Sequence, residues 1–233
     1  MATIYLVRHG QASFGQHDYD KLSPIGEQQA VVTGEWLKAV NKPIALFGSG
    51  TLLRQRQTLS GIYSGMGLEG RQPDFTLPGL NEVDVDELLL VANPQFTSRR
   101  EMDSHMANKS NPAQAFFELY RSSLARWAGG EHDQEYKQSW PEFKEKALNA
   151  VTIVGKELKE NENVLLVSSG GTISTLVLQV LGMPENGIFK LNRHINNASI
   201  TALHFRKNKL SLHGFNNYAH LEQAGSRRLI TRI

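Results

Sequence analysis

The chain has 233 residues, 40% apolar and 21% charged, a length and composition that fit one soluble globular domain and argue against a disordered chain. Its 25 Lys and Arg against 23 Asp and Glu leave a formal charge of +2, too small a surplus to mark a nucleic-acid or membrane surface. The lack of cysteine excludes disulfides, thiolate catalysis and sulfur-ligated metals, and a cytoplasmic location is expected.

Ile4-Tyr5-Leu6-Val7 is a continuous apolar run, the pattern of a strand buried on both faces of a sheet. It stops at Arg8, with no basic leader and far short of the roughly 18 residues that would cross a bilayer. Ser23-Pro24 supplies a helix cap and a proline suited to the first turn, and Ala30, Gly34 and Leu37 follow at helical spacing, which predicts a helix over about 24–40. Residues 43–49 read as a second buried strand, 52–62 as a helix, and 75–78 as a short extended segment. Residues 84–140 break this rhythm: they are polar-rich, carry a helical patch over 112–127, and are read as an insertion forming a lid that partly roofs the site. Phe143, Ala147, Ala150, Val151, Val154 and Leu158 then mark a long amphipathic helix. Residues 163–168 read as a third buried strand, Gly170-Gly171 as a turn, and 172–181 as a helix ended by Gly182 and Pro184. Segments 199–205 and 209–213 read as a late hairpin. Strands alternating with helices predict an α/β fold, a three-layer α/β/α sandwich whose mostly parallel sheet is covered on both faces, in a single domain spanning 1–233.

Ligands of such sheets bind outside the carboxyl ends of the strands. The first predicted strand ends in Arg8-His9-Gly10, the second leads into Arg54, and the third ends in Ser168-Ser169-Gly170-Gly171. If these ends meet, two guanidiniums, an imidazole and the N–H groups of a helix start form a phosphate cradle. Gln11 and Ser13, in the polar loop after the first strand, are further candidate contacts, as are Ser169 and Gly170. A neutral imidazole in such a cradle can attack phosphorus and split hydrolysis into two displacements. Protonation of the leaving oxygen then needs an acid of raised pKa, for which Glu82 is the candidate and Asp84 and Asp86 the rivals.

Five blocks carry a resemblance to the histidine phosphatase (phosphoglycerate mutase-like) superfamily: Leu-Val-Arg-His-Gly, Leu-Ser-x-x-Gly-x-x-Gln-Ala, Leu-x-Arg-x-x-Gln-Thr, Leu-x-Glu, and Val-Ser-x-Gly-Gly-Thr-Ile. The resemblance spans nearly the whole chain. It implies a phosphorylated nucleophile at His9, phosphate-binding arginines at Arg8 and Arg54, and a proton donor at Glu82. It also implies a reaction without metal or organic cofactor on a small phosphorylated substrate, with no nucleic-acid or membrane partner.

The chain departs from that pattern at Ser169, where the superfamily carries a second histidine that stabilises the transition state. Loss of one preorganised donor typically costs ~10²–10³ in rate, so a slow phosphatase is expected unless His194, His213 or His220 fills the gap. A second outcome is a protein that holds a phosphorylated ligand without turning it over. A mutase is less expected, because Val83-Asp84-Val85-Asp86 brings negative charge where a mutase grips a second phosphate. Arg56, two residues past Arg54 on a helix, is expected to face solvent. Phe116, Phe117 and Tyr120 read as core of the insertion, with a substrate lid as the alternative.

Overall fold

The computed structural model describes residues 1–13 and 20–232. Six strands form one mixed sheet: β1 (Ala2–Arg8), β2 (Leu46–Ser49), β3 (Phe75–Thr76), β4 (Asn163–Ser168), β5 (Ile200–Arg206) and β6 (Lys209–Asn217), in the spatial order β3-β2-β4-β1-β5-β6. The four strands from β3 to β1 are parallel, and β5 and β6 are antiparallel additions at the β1 edge.

The central strands β1 and β4 are largely apolar because both of their faces are covered. Ile4 and Leu6 of β1 and Val164 and Leu166 of β4 point to one face, where they pack on α6 (Trp140–Glu157) and α7 (Gly170–Leu181) through Ala147, Val151, Ile173 and Leu176. The alternate residues Val7, Leu165 and Val167 point to the other face, against Leu37 of α1 (Pro24–Ala39) and Leu59 and Ile62 of α2 (Leu53–Met66). The three-layer α/β/α expectation is thus met by the period-two alternation of buried residues.

Local signals explain most boundaries. Ser23 Oγ accepts from Gly26 N at 3.1 Å and Pro24 opens α1. The second strand starts at Leu46 rather than at 43, since Pro43 offers no N–H to a ladder and its carbonyl instead accepts from the Asn163 side chain at 2.9 Å. Gly170 and Gly171 are the first two residues of α7 and not a turn, which corrects the sequence reading. Ser169 occupies the N-cap position, with no side-chain bond to the helix.

Segment 84–140 is more structured than its polarity implies. It carries α3 (Val85–Ala92), α4 (Arg99–Ala107) and α5 (Pro112–Ala128), which enclose a cluster of Leu89, Phe96, Met102 and Met106. A second cluster joins Leu88, Leu124 and Trp127 to Trp140 and Phe143 of α6 and to Ile188 of α8 (Ile188–Asn192). The ring centroids of Trp127 and Trp140 are 5.0 Å apart, and both indole N–H groups are bonded, to Gln138 O and to Glu185 Oε2. Behind α1, Leu221 of α9 (Ala219–Gln223) packs with Ala198 and Leu229. Among the described residues no helix is long and apolar enough to cross a membrane.

Candidate active site

β1 and β4 end side by side, with Arg8 paired to Ser168 in the ladder and His9 N donating to Ser168 O at 2.9 Å. This adjacency brings the first and third predicted segments into one crevice, and α2 carries Arg54 into it.

His9 is buried, and its ring is fixed by two neighbours of opposite character. Nδ1 lies 2.7 Å from Gly10 O, which can only accept, so Nδ1 bears the proton. Nε2 faces Arg54 Nε at 3.2 Å, and because a guanidinium only donates, Nε2 presents its lone pair. Burial first, then the positive charges of Arg54 and Arg8, hold the His9 pKa well below the usual histidine value. The imidazole is therefore neutral at neutral pH, with its nucleophilic nitrogen on the arginine side.

Arg54 is only 7% exposed and is held from behind: its Nη1 donates to Asp20 Oδ1 at 2.7 Å, while Asp20 Oδ2 accepts from Leu53 N at the start of α2. Arg8, the last residue of β1, donates from Nη1 to the carbonyls of Ile195 and Arg232. Gly10 N donates to Thr58 Oγ1 at 3.0 Å, tying the histidine loop to α2.

Glu82 reaches the opposite side of the crevice. Its Oε2 accepts from Gly171 N at 2.9 Å and its Oε1 from Val83 N at 3.2 Å, so the carboxyl group sits at the amino end of α7. The rivals are engaged elsewhere. Asp84 caps α3 through Glu87 N, and Asp86 pairs with Arg99, both in exposed positions.

The two glycines owe their identity to this packing. A Cβ on Gly170 would stand 2.6 Å from Asn192 Oδ1 and 3.3 Å from Arg8 Nε, and one on Gly171 would overlap the Glu82 carboxylate. A side chain at either position would push Arg8 or Glu82 out of place.

Ser169 is fully buried, and its Oγ accepts from Gln55 Nε2 at 2.8 Å. The same amide donates to Leu80 O at 2.8 Å. Gln11 and Ser13 lie in the loop above β1, but their side-chain oxygens bond within it, to Ser23 Oγ and Leu22 O respectively. Arg56 is exposed, as its helical position requires. His220 is buried behind α1, 3.1 Å from Thr33 Oγ1, and His213 stacks on His204 of the β5–β6 hairpin at 4.1 Å. His194 is exposed, and its carbonyl accepts from Asn216. No described contact joins any of the three to His9.

The aromatic stripe on α5 divides its roles. Phe116 belongs to the insertion's own cluster, whereas Phe117 packs edge-on to Phe189 of α8 at 4.9 Å. The Tyr120 hydroxyl accepts from Asn192 Nδ2 at 3.2 Å, and Asn192 in turn abuts Gly170, so α5 and α8 together wall the crevice on the Arg8 side.

Asp20, Gln55, Thr58, Asn192 and Asn197 were not picked out from the sequence. Thr58 is a specified position of the Leu-x-Arg-x-x-Gln-Thr block and could have been read from it, whereas Gln55 falls on one of its variable positions. Isolated Asp or Asn residues in loops give no such signal. Among the described residues, no group of three His, Asp or Glu side chains is arranged to hold a metal ion.

The chain is 26% identical over 230 residues to the metal-independent phosphoserine phosphatase of Arabidopsis thaliana, covering 95% of this chain and 84% of that protein. In fold it is similar to YhfR of Bacillus stearothermophilus, with a TM-score of 0.68 and 19% identity over 95% of this chain and 100% of that one. It also resembles a mycobacterial glucosyl-3-phosphoglycerate phosphatase solved with VO3, with a TM-score of 0.62 and 23% identity over 92% of this chain and 98% of that one. The model of the histidine phosphatase superfamily (branch 1) matches residues 4–115 and 100–218. With the fold, the order of the motif blocks and this match in agreement, the chain belongs to the histidine phosphatase superfamily, branch 1.

Proposed function

We propose that this protein is a phosphomonoesterase that works through a phospho-histidine on His9. The observation that carries this reading is the state of the His9 ring: neutral, with Nδ1 anchored on Gly10 O and the Nε2 lone pair facing Arg54. Arg8 and Arg54 bind the phosphoryl oxygens, and the N–H groups at the start of α7 add dipole stabilisation. Nε2 attacks phosphorus in line, the P–O bond to the leaving group breaks, and Glu82 delivers the proton that the leaving oxygen takes up. Glu82 then removes a proton from water as it attacks phospho-His9, releasing phosphate and restoring both groups. No metal or cofactor enters these steps.

Ser169 stands, in this reading, where the superfamily's second histidine belongs. Its hydroxyl accepts from Gln55, which leaves its own hydrogen to donate to a phosphoryl oxygen, a neutral substitute for an imidazolium. Turnover is correspondingly slow. Segment 84–140, through α5, forms together with α8 the wall that meets the leaving group. The likeness to the Arabidopsis enzyme makes phosphoserine the first small substrate to try.

The test is hydrolysis of p-nitrophenyl phosphate and phosphoserine, with quenched-flow trapping of acid-labile phosphoprotein. His9→Ala is expected to abolish both hydrolysis and labelling. Hydrolysis that survives His9→Ala would sink the mechanism. Ser169 favours one rival, a protein that binds phosphate without turnover. Vanadate binding by wild type in the absence of any hydrolysis would establish that rival.

A further inference from the structure

The side of the site formed by β1 is closed by a segment more than 190 residues away in sequence, as the pairing of Arg8 with Arg232 and of Gln29 with Thr231 shows. Thr231 Oγ1 accepts from Gln29 Nε2 at 2.9 Å and donates to Asn197 Oδ1 at 2.9 Å. Asn197 Nδ2 donates to His9 O at 3.2 Å, and Gln29 Oε1 accepts from Gln11 N at 2.8 Å. Together with the backbone from 9 to 11, these bonds close a ring around the histidine loop: His9 O, Asn197, Thr231, Gln29, Gln11 N. Asn197 and Gln29 are fully buried, while Gln11 and Thr231 are half-buried.

The same segment holds its neighbours. Asn197 N donates to Thr231 O at 2.8 Å, Gln29 Nε2 also donates to Leu229 O at 2.8 Å, and Arg8 Nη1 donates to Arg232 O at 3.0 Å. Ala198, next to Asn197, takes a left-handed φ of 55°, an unfavourable conformation that turns its N–H toward Arg8 O and His9 O. Packing and bonding from the 229–232 side keep it there.

We propose that residues 229–232 act as a strap that positions His9 and Arg8 for phosphate, with Thr231 as its key positioning residue. This rests on the reading of His9 and Arg8 as the phosphate site. The Thr231 hydroxyl is both donor and acceptor in the ring, so serine can replace it and valine cannot. Valine leaves Asn197 Oδ1 and one Gln29 hydrogen unmatched in a buried setting, and the loop relaxes away from the geometry that binds phosphate.

The experiment compares vanadate inhibition and phosphate affinity in wild type, Thr231→Val and Thr231→Ser. The loss of one hydrogen-bonding group that serves the buried Asn197 and Gln29 predicts that phosphate and vanadate bind roughly 5- to 100-fold more weakly to Thr231→Val, with KM raised more than kcat is lowered, and Thr231→Ser restores both. A second measurement uses unmodified protein, so that a folding defect in the valine variant decides nothing. By reciprocity of coupled equilibria, saturating vanadate must slow hydrogen exchange in 195–198 and 226–232. Unchanged affinity in Thr231→Val, or unchanged exchange in those segments when vanadate is bound, overturns the strap alone. Wild type that binds neither phosphate nor vanadate overturns the phosphate site and the strap with it.

Discussion

At the scale of single residues, His9 and Glu82 are held by backbone groups of opposite kind, a carbonyl for His9 and N–H groups for Glu82. His9 is buried between Arg8 and Arg54, each of which disfavours its protonation, and the neutral ring has no carboxylate partner among the described residues. Orientation comes from the Gly10 carbonyl. Glu82 instead rests on the Gly171 N–H at the start of α7 and on the N–H of its neighbour Val83. If it is the proton donor, Glu82→Gln should lower kcat on phosphoserine by about 10²- to 10⁴-fold, the usual range for general acid catalysis. On p-nitrophenyl phosphate, whose leaving group needs no proton, the loss of the first step should be much smaller. Equal losses on the two substrates in single-turnover measurements would remove Glu82 from that role.

At the scale of elements, α7 and α1 show how packing sets both site and stability. Gly170 and Gly171 looked like punctuation because glycine pairs commonly mark turns. They open α7 instead because Arg8, Asn192 and Glu82 crowd the helix start and leave no room for a Cβ. Behind α1, His220 packs at a tilt against Trp36 with centroids 5.5 Å apart, and burial lowers its pKa from 6.5 to about 4. Below pH 6.5 the unfolded chain takes up a proton that the folded protein refuses, so stability falls as pH drops from 6.5 toward 4. By pH 4 this one group costs about 3 kcal/mol, at about 1.4 kcal/mol per pH unit. Denaturant melts at pH 7 and pH 4.5 should therefore show a smaller acid loss in His220→Phe, which keeps the contact with Trp36. An equal acid loss in wild type and variant would assign the sensitivity elsewhere.

At the scale of the whole molecule, charge and architecture separate the phosphatase reading from a mutase. In the segment after Glu82, Asp84 caps α3 and Asp86 is matched by Arg99. The guanidinium that meets this segment, Arg99, is held by Asp86 and Asp103, and no exchange of label between 2- and 3-phosphoglycerate is expected. Isomerisation without net phosphate release, followed by phosphorus NMR, would reverse this conclusion.

The sequence by itself determined the strands and helices of the sheet core, because each carries its own periodic signal and terminators such as Ser23-Pro24 and Gly182 act locally. It also placed Arg8, His9 and Ser169 at strand ends, where the chain must turn and ligands can approach. Only the tertiary structure decided that Glu82 rests on Gly171, that Gln55 holds Ser169, and that Thr231 reaches Asn197 and Gln29. Those contacts join residues 34 to 202 positions apart, through side chains whose partners are chosen by the way the layers pack. No local pattern of hydrophobicity or turn chemistry encodes such pairings. They come into being only when the sheet, its flanking helices and the returning segment 229–232 are all in place.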